Sequence, residues 1–235
     1  MTAIVARSLK KRFGRTVGLD GIDLDIPAGS TLAVLGPNGA GKSTLLRLIA
    51  GVARPTDGSL HVGGQPAHQR ASRARVGFIG HSTGLYPELT ARENLIFAAR
   101  LHGVADPRAR ADEQLEAAGL SRAAHRRAGG FSRGMAQRLA IATGLIHEPE
   151  IVLLDEPFTG LDRSASNRLV ERLTRIRESG CTLLLVSHDV PLASRWADEA
   201  IVLRRGRIAH RESGGPVNPT ALENAYAVAS ESGVA

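Results

Sequence analysis

One stretch constrains this chain more than any other: Leu32-Ala33-Val34-Leu35-Gly36-Pro37-Asn38-Gly39-Ala40-Gly41-Lys42-Ser43-Thr44. An apolar run ends in a glycine-rich turn, and Lys-Ser-Thr then opens the amphipathic segment Leu45-Leu46-Arg47-Leu48-Ile49. The spacing Gly36-x4-Gly41-Lys42-Ser43 is the P-loop pattern in its strand–loop–helix setting. Glycines let the backbone fold back so that successive N–H groups point inward at a phosphate chain. The helix that follows aims its positive dipole end at the same place. On this pattern Gly36, Asn38, Gly39, Ala40, Gly41, Lys42, Ser43 and Thr44 form a cradle for a nucleotide. Lys42 reaches the β- and γ-phosphates, and the Ser43 hydroxyl is a Mg²⁺ ligand. Chance produces such a pattern in about one chain in a hundred of this size.

A chain of 235 residues can bury a large core as one domain or one domain with a subdomain. No apolar run approaches the roughly 18–20 residues of a membrane span. The first residues, Met1-Thr2-Ala3-Ile4-Val5-Ala6-Arg7, lack the charged-then-apolar order of a signal peptide. The single cysteine, Cys181, lies in an apolar run, where it excludes an internal disulfide and suits a reducing compartment as core filler. The expectation is a cytoplasmic protein. Its net charge of +7 invites a nucleic-acid partner. The densest basic groups, 70–75, 122–133 and 204–211, hold one aromatic between them, Phe131, and no interleaved series of stacking aromatics, so no nucleic acid is expected. An anionic membrane face suits the same charge.

Along the chain, 2–9 and 22–26 read as short strands, with Ile22, Leu24 and Ile26 alternating with Asp23 and Asp25. Residues 31–35 feed the P-loop and 42–50 form the helix behind it. Asp57-Gly58 reads as a turn into a strand at 59–62, and 75–80 as another strand. From about 83 to 149 the period becomes helical. Helices are expected at 90–101 with a capping box from Thr90 to Glu93, at 106–118 with Pro107 in the first turn, and at 132–146. Strand character returns at 151–154. A helix carrying Leu169, Leu173 and Ile176 follows, then a strand at 182–186, a short helix near 191–196 and a hairpin at 200–209. Apolar strands alternating with helices after the P-loop imply a buried parallel sheet. Residues 214–219 read as a linker, and 219–229 as a weak docking helix.

Asp155-Glu156 ends the 151–154 run and resembles a Walker B strand. An acid there can hold hydrated Mg²⁺, and Glu156 can polarise the attacking water as general base. His188 ends the next apolar strand, within reach of a γ-phosphate and Glu156. Phe13 suits either stacking on a purine or a place in the core. Ser132 can cap the helix at 132–146, which makes a second anion-attracting helix start.

Together these motifs resemble the ATP-binding subunit of ABC transporters over nearly the whole chain. The P-loop is at 36–43, and Ser132-Arg133-Gly134 stands where that family has its Leu-Ser-Gly-Gly-Gln signature. Leu153-Leu154-Asp155-Glu156-Pro157 matches Walker B, Thr159-Gly160-Leu161-Asp162 looks like the D-loop, and His188 like the switch histidine. The resemblance implies an α/β fold, a P-loop NTPase core with an antiparallel β subdomain and an inserted α-helical subdomain. On that division 1–235 is a single ATP-binding domain, with core 1–82 and 150–212, helical subdomain 83–149 and tail 213–235. It also implies ATP and Mg²⁺ as cofactors, with Ser43 and Asp155 at the metal. A head-to-tail dimer follows, a homodimer or a pair with a second ATP-binding subunit. In it Ser132 and Gly134 contact the γ-phosphate bound to the other chain. Closure on ATP would drive a separate membrane permease from its cytoplasmic face.

The chain departs from the pattern in three places. His81 stands where the family usually has a glutamine that senses Mg²⁺ and water. It keeps a hydrogen-bonding group but titrates near neutrality, and with Glu156 and His188 it completes the catalytic set. The signature reads Phe-Ser-Arg-Gly-Met, and Thr143 replaces a common arginine. Gly80-His81, Thr83-Gly84-Leu85, Glu88-Leu89-Thr90 and Glu93-Asn94-Leu95 look like the haem-exporter ATPase of cytochrome c biogenesis. Drug and lipid exporters share much of this. Two rivals stand beside a transport ATPase. One is a soluble ABC ATPase of ribosomes or DNA, which usually carries two cassettes or a coiled-coil insertion. Here there is one cassette, and the insert has no sustained heptad pattern. The other is a regulatory module that does not hydrolyse, against which Glu156 argues.

Overall fold

A computed structural model describes residues 1–80, 82–159 and 161–231; His81, Gly160 and residues 232–235 lie outside the described residues. Thr2–Phe13 (β1) and Thr16–Pro27 (β2) form a long hairpin, and Thr31–Leu35 (β3) runs into helix Lys42–Ile49 (α1). Asp57–Val62 (β4), Gln65–Pro66 (β5), the one-turn helix Arg70–Arg73 (α2) and Val76–Ile79 (β6) follow. Three helices come next: Ala91–Leu101 (α3), Pro107–Ala117 (α4) and Arg133–Gly144 (α5). The chain then alternates through Ile151–Asp155 (β7), Arg163–Glu178 (α6), Thr182–Val186 (β8) and Val190–Trp196 (α7). It closes with the hairpin Glu199–Arg204 (β9) and Arg207–Glu212 (β10) and with helix Pro219–Glu231 (α8).

The strands make two sheets. The larger has the order β10-β9-β3-β8-β7-β6, parallel throughout except for the β9–β10 hairpin at its edge. Every residue of β3, β7 and β8 is buried, the near-continuous apolar pattern of strands covered on both faces. The smaller sheet, β2-β1-β4-β5, is antiparallel. The expected α/β fold, with a parallel P-loop core and an antiparallel sheet, is what the chain adopts. Helices α3, α4 and α5 gather around a hydrophobic cluster of their own, including Leu95, Leu115, Leu139 and Ile146. No helix among the described residues is long and apolar enough to cross a membrane.

Helix starts follow the expected chemistry. Thr90 and Glu93 form the capping box, with Thr90 Oγ1 accepting from the Glu93 N–H at 3.2 Å. Asp106 caps α4 with Pro107 at its first position. Two expectations differ in extent. β1 and β2 each run 12 residues, well past the short strands read at 2–9 and 22–26. β1 beyond Leu9 is not buried, and β2 before Ile22 buries only the adjacent Gly18 and Leu19, so alternation vanishes although the ladder continues with register shifts. Asp57-Gly58 does not turn but begins β4. Gly58 has φ +78°, and a Cβ there would lie 2.3 Å from the Ser8 carbonyl oxygen, so the glycine serves a bulged strand contact. The docking helix expected at 219–229 forms as α8 and does dock, with Leu222 and Ala229 buried in a cluster with Leu35, Val190 and Val202.

Candidate functional site

The P-loop leaves the carboxyl end of β3 and wraps back onto α1. Gly36 has φ +143°, and a Cβ there would meet the Leu203 carbonyl oxygen at 2.3 Å. Gly41 has φ +109°, and its Cβ would lie 2.5 Å from the Gly18 carbonyl oxygen. Both positions exclude any side chain, by backbone conformation and by space. Gly41 also occupies the cap position of α1, and no side chain caps that helix, so its first-turn N–H groups stay open to an anion.

Those groups face a cavity of about 430 Å³, lined by Phe13, Asn38, Gly39, Ala40, Gly41, Lys42, Ser43, Thr44, Asp155 and Glu156, with Thr16, Val17 and Gly18 on the remaining wall. Eight of the predicted cradle and metal positions therefore surround one space. Gly36 is not on its wall; it is buried, and its carbonyl accepts from Lys42 Nζ at 2.6 Å. A second bond runs from Lys42 Nζ to the Pro37 carbonyl at 3.0 Å, so the ammonium is folded back across its own loop. Burial lowers the Lys42 pKa below the ordinary lysine value, and the negative charges of Glu156 and Asp155 partly offset this. A half-buried cation held by carbonyls is matched to an arriving phosphate.

Asp155 ends β7 and is 7% exposed, beside the strand that feeds the P-loop through β8. The Ser43 hydroxyl and the Asp155 carboxylate share the cavity wall. One neutral and one anionic oxygen are the hard donors a Mg²⁺ held mainly by phosphates and water requires. Glu156 sits at φ +56°, its N–H donating to the Val186 carbonyl at 3.0 Å. That left-handed turn brings the carboxylate back over the cavity, where His188 Nδ1 lies 2.5 Å from its Oε2. Thr159 Oγ1 donates to the same oxygen at 3.3 Å. The acid is thereby oriented from two sides, while His188 itself stays largely exposed.

Phe13 is 50% exposed at the end of β1, with Lys11 Nζ 5.1 Å from its ring centroid. It is a wall of the cavity and not a core residue, so of the two uses open to it the stacking one matches its position. Ser132 caps α5, accepting from the Met135 N–H at 3.3 Å, and Gly134 lies near Leu161. Neither lines the phosphate cavity of its own chain. His81 lies outside the described residues. Sequence reasoning missed Thr159 as a partner of Glu156, and also Thr16, Val17 and Gly18, since these β2 residues belong to no phosphate motif. It also missed Gln137, whose buried amide donates to the Pro157 carbonyl at 3.3 Å and ties α5 to the loop after β7.

Known proteins are similar to this chain over most of its length. The family model described as ABC transporter matches residues 19–159. The chain is 37% identical over 205 residues to a Nod factor export ATP-binding protein I of Burkholderia orbicola, covering 86% of this chain and 67% of that one. It is 39% identical over 211 residues to a daunorubicin resistance ATP-binding protein of Streptomyces coeruleorubidus, covering 88% and 67%. It thus spans about two thirds of the length of these relatives. Among solved structures, an ATP-binding cassette dimer in a post-hydrolysis state with ADP and phosphate superposes with a TM-score of 0.83 at 28% identity, covering 89% of this chain and 98% of that one. With a P-loop cradle, paired carboxylates and a match over more than half its length, the chain belongs to the ABC transporter family, as an ATP-binding cassette ATPase.

Proposed function

We propose that the protein is the ATP-hydrolysing subunit of an exporter, working on the cytoplasmic face of a membrane through a separate permease. The observation that carries the chemistry is Glu156, held by His188 and Thr159 at the edge of the phosphate cavity. Glu156 takes a proton from the attacking water, and the His188 imidazole holds its carboxylate in line. Lys42 leaves the Gly36 and Pro37 carbonyls for the β- and γ-phosphates. The first-turn N–H groups of α1 hold the phosphate chain, and Phe13 stacks on the base. Ser43 and Asp155 hold Mg²⁺, which when bound stabilises charge developing on the phosphoryl oxygens.

The site of one chain is half a site in this reading. Ser132 and Gly134 of a second copy, or of a paired subunit, close it over the γ-phosphate, and His81 acts at the same place. Residues 83–149 form the arm that carries the signature helix, hinged on a core of 1–82 and 150–212, with 213–235 as tail. Support for a dimer comes from the post-hydrolysis cassette neighbour, whose structure is dimeric. Support for export comes from relatives named for Nod factor export and daunorubicin resistance. Haem export in cytochrome c biogenesis is a second reading, favoured by Gly80-His81 and the short motifs from 83 to 95. Activity on ribosomes or nucleic acid finds no support among these relatives.

The test is co-expression with a candidate multi-span permease encoded beside it, then reconstitution in proteoliposomes. Co-purification and ATP-dependent movement of substrate, absent with Glu156→Gln, are expected. An ATPase that binds ribosomes or DNA and no membrane protein would overturn the reading.

A further inference from the structure

The phosphate cradle is not the larger cavity of this molecule. A cleft of about 970 Å³ opens at the amino ends of β7 and β8, where Ile151 and Thr182 form part of its floor. Asp155, at the far end of β7, marks the phosphate cavity. Five extended residues separate the two ends, about 15 Å. The cleft is therefore a distinct space, and nothing in the nucleotide chemistry uses it.

Its charge is unbalanced. Four arginines line it, Arg75, Arg110, Arg172 and Arg175, against the two carboxylates Glu148 and Glu150. Both carboxylates are already engaged: Arg75 pairs with Glu150 at 3.0 Å, and Arg110 with Glu148 at 3.0 Å. Arg110 also holds Glu113 and the Ile146 carbonyl. What remains is Arg172 and Arg175, three apart on α6 and so neighbours on one face. The Arg172 guanidinium is largely buried and donates to the neutral amide oxygen of Gln114 on α4, with no carboxylate on it among the described residues. Burial, with the charge of Arg110 added, pulls its pKa down to about 10. A sunken cation without a counter-charge is costly unless something anionic joins it.

We propose that this cleft is a second anion site, taking a small phosphate-bearing molecule whose anionic group bridges Arg172 and Arg175 while its apolar body lies on Leu145 and Ile176. Guanidinium forks match phosphate oxygens, and two of them on one helix face suit a doubly charged group. The carboxylates of Glu148 and Glu150 stand 77% and 63% exposed at the rim. With both paired to arginines, the positive charge is concentrated at Arg172 and Arg175, which suits a compact ligand over an extended polyanion such as a nucleic-acid backbone. Because Gln114 belongs to α4 and Arg172 to α6, the occupant clamps the three-helix cluster to the sheet core. The site stands independently of the export reading.

The experiment titrates pyrophosphate by calorimetry into the full chain, with the P-loop first saturated with ADP and Mg²⁺. One further pyrophosphate per chain is expected. Arg175→Glu, at an exposed position compatible with folding, is expected to weaken it at least about tenfold, the loss of one charge-assisted contact. Arg172→Gln is expected to do the same, and Lys42→Ala to leave it within about twofold. Absence of saturable binding to the ADP-loaded wild type would overturn the proposal. So would binding lost in Lys42→Ala but kept in Arg175→Glu, which would put the anion in the first cavity.

Discussion

Gly41 and Gly39 sit two residues apart in one loop with positive φ, yet they face different surroundings. A Cβ at Gly41 meets the Gly18 carbonyl oxygen at 2.5 Å, whereas a Cβ at Gly39 meets nothing within 4 Å. Gly41→Ala should therefore displace the β1–β2 hairpin or the loop itself, at a cost of about 2 kcal/mol or more. Gly39→Ala should incur backbone strain alone, about 1 kcal/mol. Chemical denaturation of both variants checks the order, and nucleotide affinity should fall further for Gly41→Ala. On its proposed role, Glu156→Gln keeps ATP binding and cuts phosphate release at least about a hundredfold; turnover within a few-fold of wild type would remove Glu156 as the base. A fourth residue tests electrostatics away from the site. His147 stacks on His102 with ring centroids 3.7 Å apart, and burial, with the neighbouring ring added, lowers its pKa to about 4. The unfolded chain takes up a proton on this ring near pH 6.5 while the folded one stays neutral. Stability from His147 is thus complete above about pH 6.5 and falls as pH drops toward 4. His147→Phe, which keeps the stack, should lose less stability between pH 7.5 and pH 5 than wild type does, read from urea midpoints.

Element ends were legible where a side chain makes the end. Thr90 with Glu93, Asp106 with Pro107, and Ser132 each announce a helix start, because the capping oxygen and the orphan N–H groups are close in sequence. Thr90→Ala should accordingly lower stability by about 1 kcal/mol, measured by thermal unfolding, with little effect on nucleotide binding. The parallel strands were legible for a similar reason, since β3, β7 and β8 are buried on both faces and read as unbroken apolar runs. β1 and β2 were half legible: hydrogen bonding continues past Leu9, where nothing is buried, and before Ile22, where burial falls on the adjacent Gly18 and Leu19, so neither stretch alternates. α2 is one turn long, too short for any period to show. Within the site, Lys42, Asp155 and Glu156 carried local motifs. Thr159 acts on Glu156 through a turn, and Gln137 reaches Pro157 from another element, so neither left a pattern in its own neighbourhood.

At the scale of the whole molecule, the sheet collects the P-loop, Asp155 and Glu156 at one end of its parallel strands, while Ser132 and Gly134 stay off the cavity of their own chain. The central claim is that a second copy supplies them. Mixing two inactive variants tests it directly, Lys42→Ala and Ser132→Arg. In a head-to-tail dimer of one chain of each, one site combines both lesions, and the other keeps an intact P-loop and an intact signature. With random pairing, half of the dimers are mixed and one of their two sites is whole. The mixture should recover up to about a quarter of wild-type ATP turnover. If Ser132 instead acted within its own chain, neither variant would hold a complete site, and the mixture would be no more active than the two variants measured apart.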